Sequence, residues 1–319
     1  MVENIRWGIV GAGRIAHTFT SDIRFAEHAT LKAVAAREMP RALAFSQQYG
    51  DIKAYADYQA LFSAPDIDAI YIATPHAMHF EQVKAAMEEG KAVLCEKPIT
   101  VSYGQCEALA ALSKSSQCFL MEAMWTYLLP AIQQAQQWVK EGRIGDIRQI
   151  QADFGYAFPF NPQQREWNTE LGGGCLREMG VYPLAFNRLF MKSEPLNITA
   201  SVHRAENGAD AHVVALMDYG SVVSVMGASF VSKLRNWAYV IGTEGYIAIP
   251  DFWRATEITL FKGDECIETF SFPMKGSGFE YQIEHASNAI IAGKRESDIV
   301  SHSDSLAVQH HMDQILSMA

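Results

Sequence analysis

A lysine between an apolar run and a proline, Glu96-Lys97-Pro98 after Ala92-Val93-Leu94-Cys95, is a candidate for proton or charge work. Pro98 fixes the local backbone and biases Lys97 to an extended conformation, carrying its ammonium off the end of a strand. A second candidate lies in Leu171-Gly-Gly-Gly-Cys175-Leu-Arg-Glu178-Met-Gly180-Val181-Tyr182-Pro183. The glycines mark a turn, and the following run reads as a helix with Glu178 and Tyr182, four apart, on one face. A site that moves a proton off oxygen needs a base and a group that stabilises the developing negative charge. A phenol is a poor base at neutral pH, but an ammonium beside it favours the phenolate. Alone, each motif also has a plain reading: a solvated charge pair ending a strand, and a tyrosine packed in a core helix beside Pro183.

Near the N-terminus, Gly11-Ala12-Gly13-Arg14-Ile15-Ala16 follows the apolar run Ile5–Val10 and opens a helical pattern. In a dinucleotide-binding turn the first glycine permits the tight strand-to-helix turn and the second admits the pyrophosphate to the backbone. Ala16 packs the helix on the sheet, and the helix N-terminus offers free N–H groups. At the end of the second strand stands Ala36-Arg37, where an enzyme preferring NAD usually carries a carboxylate for the ribose 2′-OH. A guanidinium there can bond a 2′-phosphate and stack on adenine, with Arg41 one turn on to assist, so the expected cofactor is NADP rather than NAD. The loop Ala73-Thr74-Pro75-His76-Ala77-Met78-His79 lies at the carboxyl end of a strand, where such sheets place ligands. His76 is read as lining the nicotinamide pocket, with a surface position as the plain alternative, and Thr74 and Pro75 as cofactor-binding. His79 is grouped with them on the cofactor side and opens the next helix without a catalytic role.

The elements that must carry these residues change character along the chain. Short β-branched runs alternate with amphipathic stretches up to about residue 122, the pattern of βαβ units. Strands are expected at Ile5–Val10, Leu31–Ala35, Ala69–Ala73, Ala92–Cys95 and Cys118–Met121. Helices are expected near Ile15–Phe25, Pro40–Tyr49, His79–Glu89 and Tyr103–Lys114, with Gly50 and Gly90 as stops. After a helix over Pro130–Glu141, long alternating segments follow one another: Ile147–Ala157, Asn197–His203, His212–Tyr219, Val222–Phe230 and Trp237–Ile249. Such strands pair into a largely antiparallel sheet. The expected fold class is α/β: a doubly wound Rossmann domain over 1–122, then an α+β domain over 123–319 with a large, open-faced sheet for substrate binding and dimerisation.

Together Glu96-Lys97-Pro98 and the glycine turn resemble the glucose-fructose oxidoreductase / inositol dehydrogenase (Gfo/Idh/MocA) family of nicotinamide-dependent oxidoreductases, and the likeness runs along essentially the whole chain. His76 in the loop and Tyr182 after Gly180 resemble the subgroup of dimeric dihydrodiol dehydrogenases and NADP-dependent D-xylose dehydrogenases. The resemblance implies a catalytic Lys97, a proton-transferring Tyr182 and a Glu96 that helps close the cofactor site. Glu178 replaces the subgroup's Asp, which bears on substrate identity more than on reaction type. Met121-Glu122-Ala123-Met124-Trp125-Thr126-Tyr127 resembles a subgroup segment in which Arg stands where Tyr127 is, and losing that cation argues against an acidic substrate held there. Trp125, Phe158, Arg165 and Glu178 are the expected substrate-side residues, with Phe154 and Tyr156 as further aromatics that could equally pack the strand core.

Composition narrows the partners. The 319 residues, 49% of them apolar, suit two domains. A formal charge of −10 without a basic run disfavours a nucleic-acid partner. The N-terminus lacks a signal-peptide layout and no apolar stretch is long enough to span a bilayer, so a cytoplasmic location without membrane attachment is expected. The five cysteines, Cys95, Cys106, Cys118, Cys175 and Cys266, fit neither a disulfide framework nor a metal site, and no metal is implied. His310-His311 is taken as solvated surface. Adjacent as well as alternate apolar positions in Val213–Met217 and Val222–Met226 suggest burial on both sheet faces and hence a homodimer. The expected activity is hydride transfer between a sugar-like or cyclic diol carbinol and NADP, acting on an aldose or a trans-dihydrodiol. The alternatives are a carbonyl reductase running the reverse reaction and a non-catalytic, NADP-binding sugar sensor.

Overall fold

The computed structural model describes residues 4–50 and 52–318. Strands Ile5–Val10 (β1), Ala29–Ala35 (β2), Lys53–Tyr55 (β3), Ala69–Ile72 (β4), Ala92–Cys95 (β5) and Leu120–Glu122 (β6) form one parallel sheet in the order β3-β2-β1-β4-β5-β6. Order reverses between β1 and β4, which makes their carboxyl ends the switch point of a doubly wound sheet. β1, β4 and β5 are almost wholly buried, so they read as continuous apolar runs. The helices are Arg14–Asp22 (α1), Met39–Gln48 (α2), Tyr58–Phe62 (α3), His79–Glu88 (α4) and Tyr103–Ser116 (α5). β3 and α3 are absent from the sequence reading because each spans too few residues to show a period. Asp57, whose side chain accepts from the Gln59 N–H at 3.1 Å, is the local signal for α3.

The second unit opens with the helix Pro130–Lys140 (α6) and the strand Ile147–Gly155 (β7), and after the helix Val181–Phe190 (α7) the remaining strands follow. These are Asn197–Arg204 (β8), Asp210–Asp218 (β9), Val223–Ser229 (β10), Ala238–Gly242 (β11), Tyr246–Ile249 (β12), Glu257–Lys262 (β13) and Glu265–Ser271 (β14). They build an eight-stranded sheet in the order β14-β13-β12-β11-β7-β10-β9-β8, antiparallel except for the β7–β10 pair. The segment expected as one strand over Trp237–Ile249 is a hairpin, turned by Gly242-Thr-Glu-Gly245, where the Gly242 N–H bonds the Gly245 carbonyl at 2.8 Å. α6 and α7 pack on one face. On β9, Val213, Ala215 and Met217 are buried, whereas Val214 and Leu216 on the other face are 43% and 40% exposed.

The chain returns to the first unit before it ends. Met1–Trp125 and Met274–Ser305 form one compact unit, and Thr126–Pro273 with Leu306–Ala319 the other. A second domain running without a break from 123 to 319 therefore differs from the observed division. The cause is helix Phe279–Ile291 (α8), whose Phe279, Ile283 and Ala286 are buried and which packs on α1, β1 and β2. Asp22 accepts from the Ser277 and Phe279 N–H groups, and Glu280 from those of Lys275, Gly276 and Gly278. Burial next to Glu280 pushes the Asp22 carboxyl above the usual range. The last helix, His302–Ser317 (α9), corrects the reading of His310-His311 as solvated. Successive helical residues point about 100° apart, so His310 is exposed while His311 is buried and bonded to Glu194 at 2.8 Å. Four cysteines are buried and Cys266 is exposed, and all are free thiols. Among the described residues, no helix is long and apolar enough to cross a membrane and no cluster of three or more His, Cys, Asp or Glu is placed to hold a metal.

Candidate active site

The turn after β1 has the shape a pyrophosphate needs. Gly11 adopts a φ of +100°, and a Cβ there would stand 2.7 Å from the Ala73 carbonyl oxygen, so the close approach of this turn to the end of β4 excludes a side chain. A Cβ on Gly13 would meet nothing within 4 Å, which leaves the first turn of α1 accessible from that side. Gly13 caps α1 without a side-chain bond, and no acidic residue sits in the first turn, so a phosphate meets no competing carboxylate. Arg14 is exposed, Ile15 half-buried and Ala16 sealed in the sheet contact. These residues fit a dinucleotide.

At the end of β2, Ala36 is buried and its N–H bonds the Tyr55 carbonyl at 3.1 Å. Arg37 and Arg41 are exposed, and both act on Tyr58, whose phenol burial pushes up and the two guanidinium charges pull back. Two cations and a phenol thus share one corner beyond Ala36. The loop after β4 is held from within. The Thr74 hydroxyl bonds Gln82 at 2.5 Å, and His76 is buried in the turn His76–Met78, edge-on to His79 at 5.7 Å. His79 is fully buried, and its two ring nitrogens face the carbonyl oxygens of Pro98 and Thr74, each at 2.9 Å. It therefore ties the loop after β4 to the turn of Lys97.

Lys97 is half-buried at the carboxyl end of β5, and the Lys97-Pro98 peptide is cis. Buried Glu96 accepts from the Tyr71 hydroxyl and, at 3.3 Å, from the Lys97 N–H. Tyr71 in turn stacks on Phe19 with centroids 4.0 Å apart. Trp125 is buried at the end of the same unit's first segment, with its ring 4.9 Å from that of Phe279. Phe279 is a neighbour that no sequence period reveals.

In the second unit, Tyr182 lies in the first turn of α7, 6% exposed. Phe154 stands edge-on to it at 5.4 Å, Trp253 lies tilted to it at 6.1 Å, and those two rings stack at 5.1 Å. Phe154 leaves β7 on the helix-covered face by strand alternation, whereas Trp253 arrives from the Phe252–Arg254 turn. Phe158 packs edge-on to Phe230 at 5.3 Å, in a cluster with Trp167 and Phe160. The run Leu176–Gly180 is a π-helical turn before α7, so Glu178 and Tyr182 do not share a single regular helix. Glu178 receives Arg165 in a two-pronged ion pair at 2.5 and 3.1 Å. The glycine run makes that pairing possible: a Cβ on Gly173 would stand 2.6 to 2.8 Å from the carbonyls of Glu166, Arg165 and Asn168, which lie directly on it.

A switch-point turn of this kind, joined to a unit with an open-faced sheet, defines a dinucleotide-dependent oxidoreductase. Residues 5–124 match the sequence model of the "Oxidoreductase family, NAD-binding Rossmann fold", and residues 132–248 that of the "GFO/IDH/MocA C-terminal domain". The chain belongs to the Gfo/Idh/MocA family, as its sequence resemblance implied. It is 36% identical over 312 residues to a trans-1,2-dihydrobenzene-1,2-diol dehydrogenase of Mus musculus, covering 94% of this chain and 92% of that one. The protein of that name from Xenopus tropicalis is 33% identical over 325 residues, covering 98% and 97%. Among solved structures, a 3-ketoreductase from Actinomadura kijaniata in complex with NADP and TDP-benzene superposes with a TM-score of 0.88 at 26% identity, covering 99% and 98%. An aldose-aldose oxidoreductase from Caulobacter crescentus shares the fold at a TM-score of 0.91 and 23% identity, covering 99% and 97%.

Proposed function

We propose that the protein is an NADP-dependent dehydrogenase of CH–OH groups whose substrate is a neutral cyclic diol or sugar, oxidised at a ring or anomeric carbinol. The observation that carries this reading is the setting of Tyr182, a phenol buried against the rings of Phe154 and Trp253, in a chain that retains Lys97 at the end of β5. Aromatic walls suit the apolar faces of a ring, while polar groups read its hydroxyls. The substrate is neutral in this reading because the nearby cation, Arg165, is paired with Glu178, and Tyr127 is buried with its hydroxyl on the Ala185 carbonyl at 2.6 Å.

Bound NADP supplies the hydride acceptor through its nicotinamide. The Gly11–Ala16 turn holds the pyrophosphate, and Arg37 with Arg41 bonds the 2′-phosphate. As the carbinol carbon gives up hydride, its hydroxyl proton passes to the Tyr182 oxygen. Lys97 supplies the positive charge that stabilises the substrate oxygen as its proton leaves. Reduction of a ketone uses the same groups in the opposite order, and the likeness to a 3-ketoreductase favours including that direction in the test. A panel of aldoses, inositols, trans-dihydrodiols and cyclic ketones, with NADP or NADPH and absorbance of the reduced nicotinamide as the readout, is expected to yield turnover with at least one ring substrate. Tight NADP binding with no turnover across the panel would move the assignment to a non-catalytic sensor.

A further inference from the structure

We propose that Glu122 is a positioning residue for Lys97: its carboxylate clasps the turn that carries the lysine and gives the ammonium a fixed counter-charge. This rests on the reading of Lys97 as a catalytic group. Glu122 ends β6, opposite Cys95 in the register, and the Ala123 N–H bonds the Cys95 carbonyl at 2.7 Å. From there its side chain reaches past the strand end into a wholly buried place. One oxygen accepts from the Ile99 N–H at 3.0 Å, two residues beyond Lys97, and the other from the Ser305 hydroxyl at 2.5 Å. Ser305 lies in the first turn of α9, which is pinned to the same strand a second time by His302, whose Nε2 meets the Leu120 carbonyl at 2.9 Å.

A buried carboxylate is costly where apolar packing alone is needed, since desolvation opposes its charge. Here burial pushes the Glu122 carboxyl above its ordinary value, while Ser305, Ile99 and the charge of Lys97 pull it back. The charge of Lys97 thus favours the ionised form of the carboxylate that holds its own turn. Glu96, on the other side, is engaged with the Tyr71 hydroxyl and the Lys97 backbone. The two acids thus divide the work, Glu96 fixing the start of the turn and Glu122 its exit and its charge.

The test is a set of double-mutant cycles on the full chain with NADP and a substrate from the panel. Glu122→Gln keeps the length and the acceptor for Ile99 but removes the charge. It is expected to lower kcat on the order of tenfold, with substrate KM and NADP Kd within about twofold of wild type. Ser305→Ala, which loosens the clasp and keeps the charge, is expected to lower kcat less. In a Lys97→Met background both substitutions should change the residual kcat by less than about twofold, because a residue acting through Lys97 has nothing left to act on. Wild-type kcat in Glu122→Gln, or the same loss in both backgrounds, would overturn the proposal. If Glu122→Gln does not accumulate as folded protein, Ser305→Ala decides by the same comparison: a loss confined to the Lys97 background supports the clasp, and no loss or an equal loss overturns it. Undiminished kcat in Lys97→Met alone would instead overturn the role of Lys97 in the functional reading.

Discussion

Arg37 and Tyr182 are single side chains on which cofactor choice and turnover can be separated. Ala36 removes the carboxylate that would repel a 2′-phosphate, and Arg37 stands exposed beside it with Arg41 and Tyr58 in the same corner. A hydrogen bond to a charged group contributes on the order of 1.5–3 kcal/mol, so Arg37→Ala is expected to weaken NADP by about tenfold or more and leave NAD nearly unchanged in a fluorescence titration. Equal wild-type affinity for the two cofactors would contradict the assignment. Tyr182→Phe removes one oxygen and keeps the ring contacts with Phe154 and Trp253. Loss of a positioned acid/base costs about 10²–10⁴-fold in rate, and this loss should fall in kcat with NADP Kd unmoved. Near-normal turnover would take Tyr182 out of the mechanism. The dinucleotide-binding turn was legible because it sits in a short run whose order is itself the signal, and Lys97 and Tyr182 are proposed from runs of the same kind. Phe279 beside Trp125, Trp253 beside Tyr182 and Ser305 on Glu122 were not legible, since each contact joins residues far apart in sequence and only the folded chain shows it.

At the scale of elements, periodicity located the parallel strands and most helices closely, because buried strands are apolar throughout and the stops at Gly50, Gly90 and Gly142 need their positive φ values of 79°, 74° and 71°. It failed where an element is short, as at β3 and α3, and where a polar strand such as β14 is exposed along its length and carries no burial pattern. It also missed the return of α8, since an amphipathic helix does not announce which sheet it covers. The C-terminal helices carry a pH dependence of their own. Burial holds the His311 imidazole on α9 below its ordinary value of 6.5 against the opposing pull of Glu194, and burial does the same to His285 on α8. Both are disfavoured as cations in the fold, so the unfolded chain takes up protons first as pH drops below that value. Their contribution to stability is fully present above it and is lost as pH falls toward the folded values. Thermal unfolding should therefore move to lower temperature in mildly acidic buffer, and His311→Gln should flatten that slope. A slope unchanged in the variant would remove His311 as a source.

For the whole molecule, the open face of the eight-stranded sheet decides whether one chain suffices. Leu216 on β9 stands opposite Val225 on β10, which faces Gln151 on β7, and Tyr239 on β11 follows on the same row. A neighbouring row runs through Val223, Gln149 and Ile241 to Tyr246, whose ring stacks on that of Phe261 at 4.8 Å. Two rows of aliphatic and aromatic side chains, half-buried apart from the exposed Leu216 and interrupted by glutamines, give this face a contiguous apolar stripe. α6 and α7 occupy the opposite face, and we predict that a second copy covers this one sheet-to-sheet, where a two-fold pairing would make the patch its own complement. We expect light scattering at micromolar concentration to give twice the chain mass of 35.5 kDa. Leu216→Glu places a charge on the open face beside Val225 without touching the helix-covered core, so it should yield a folded monomer with an unchanged circular dichroism spectrum. A wild-type chain that runs as a monomer, or a variant that remains dimeric, would show that this face is not the interface.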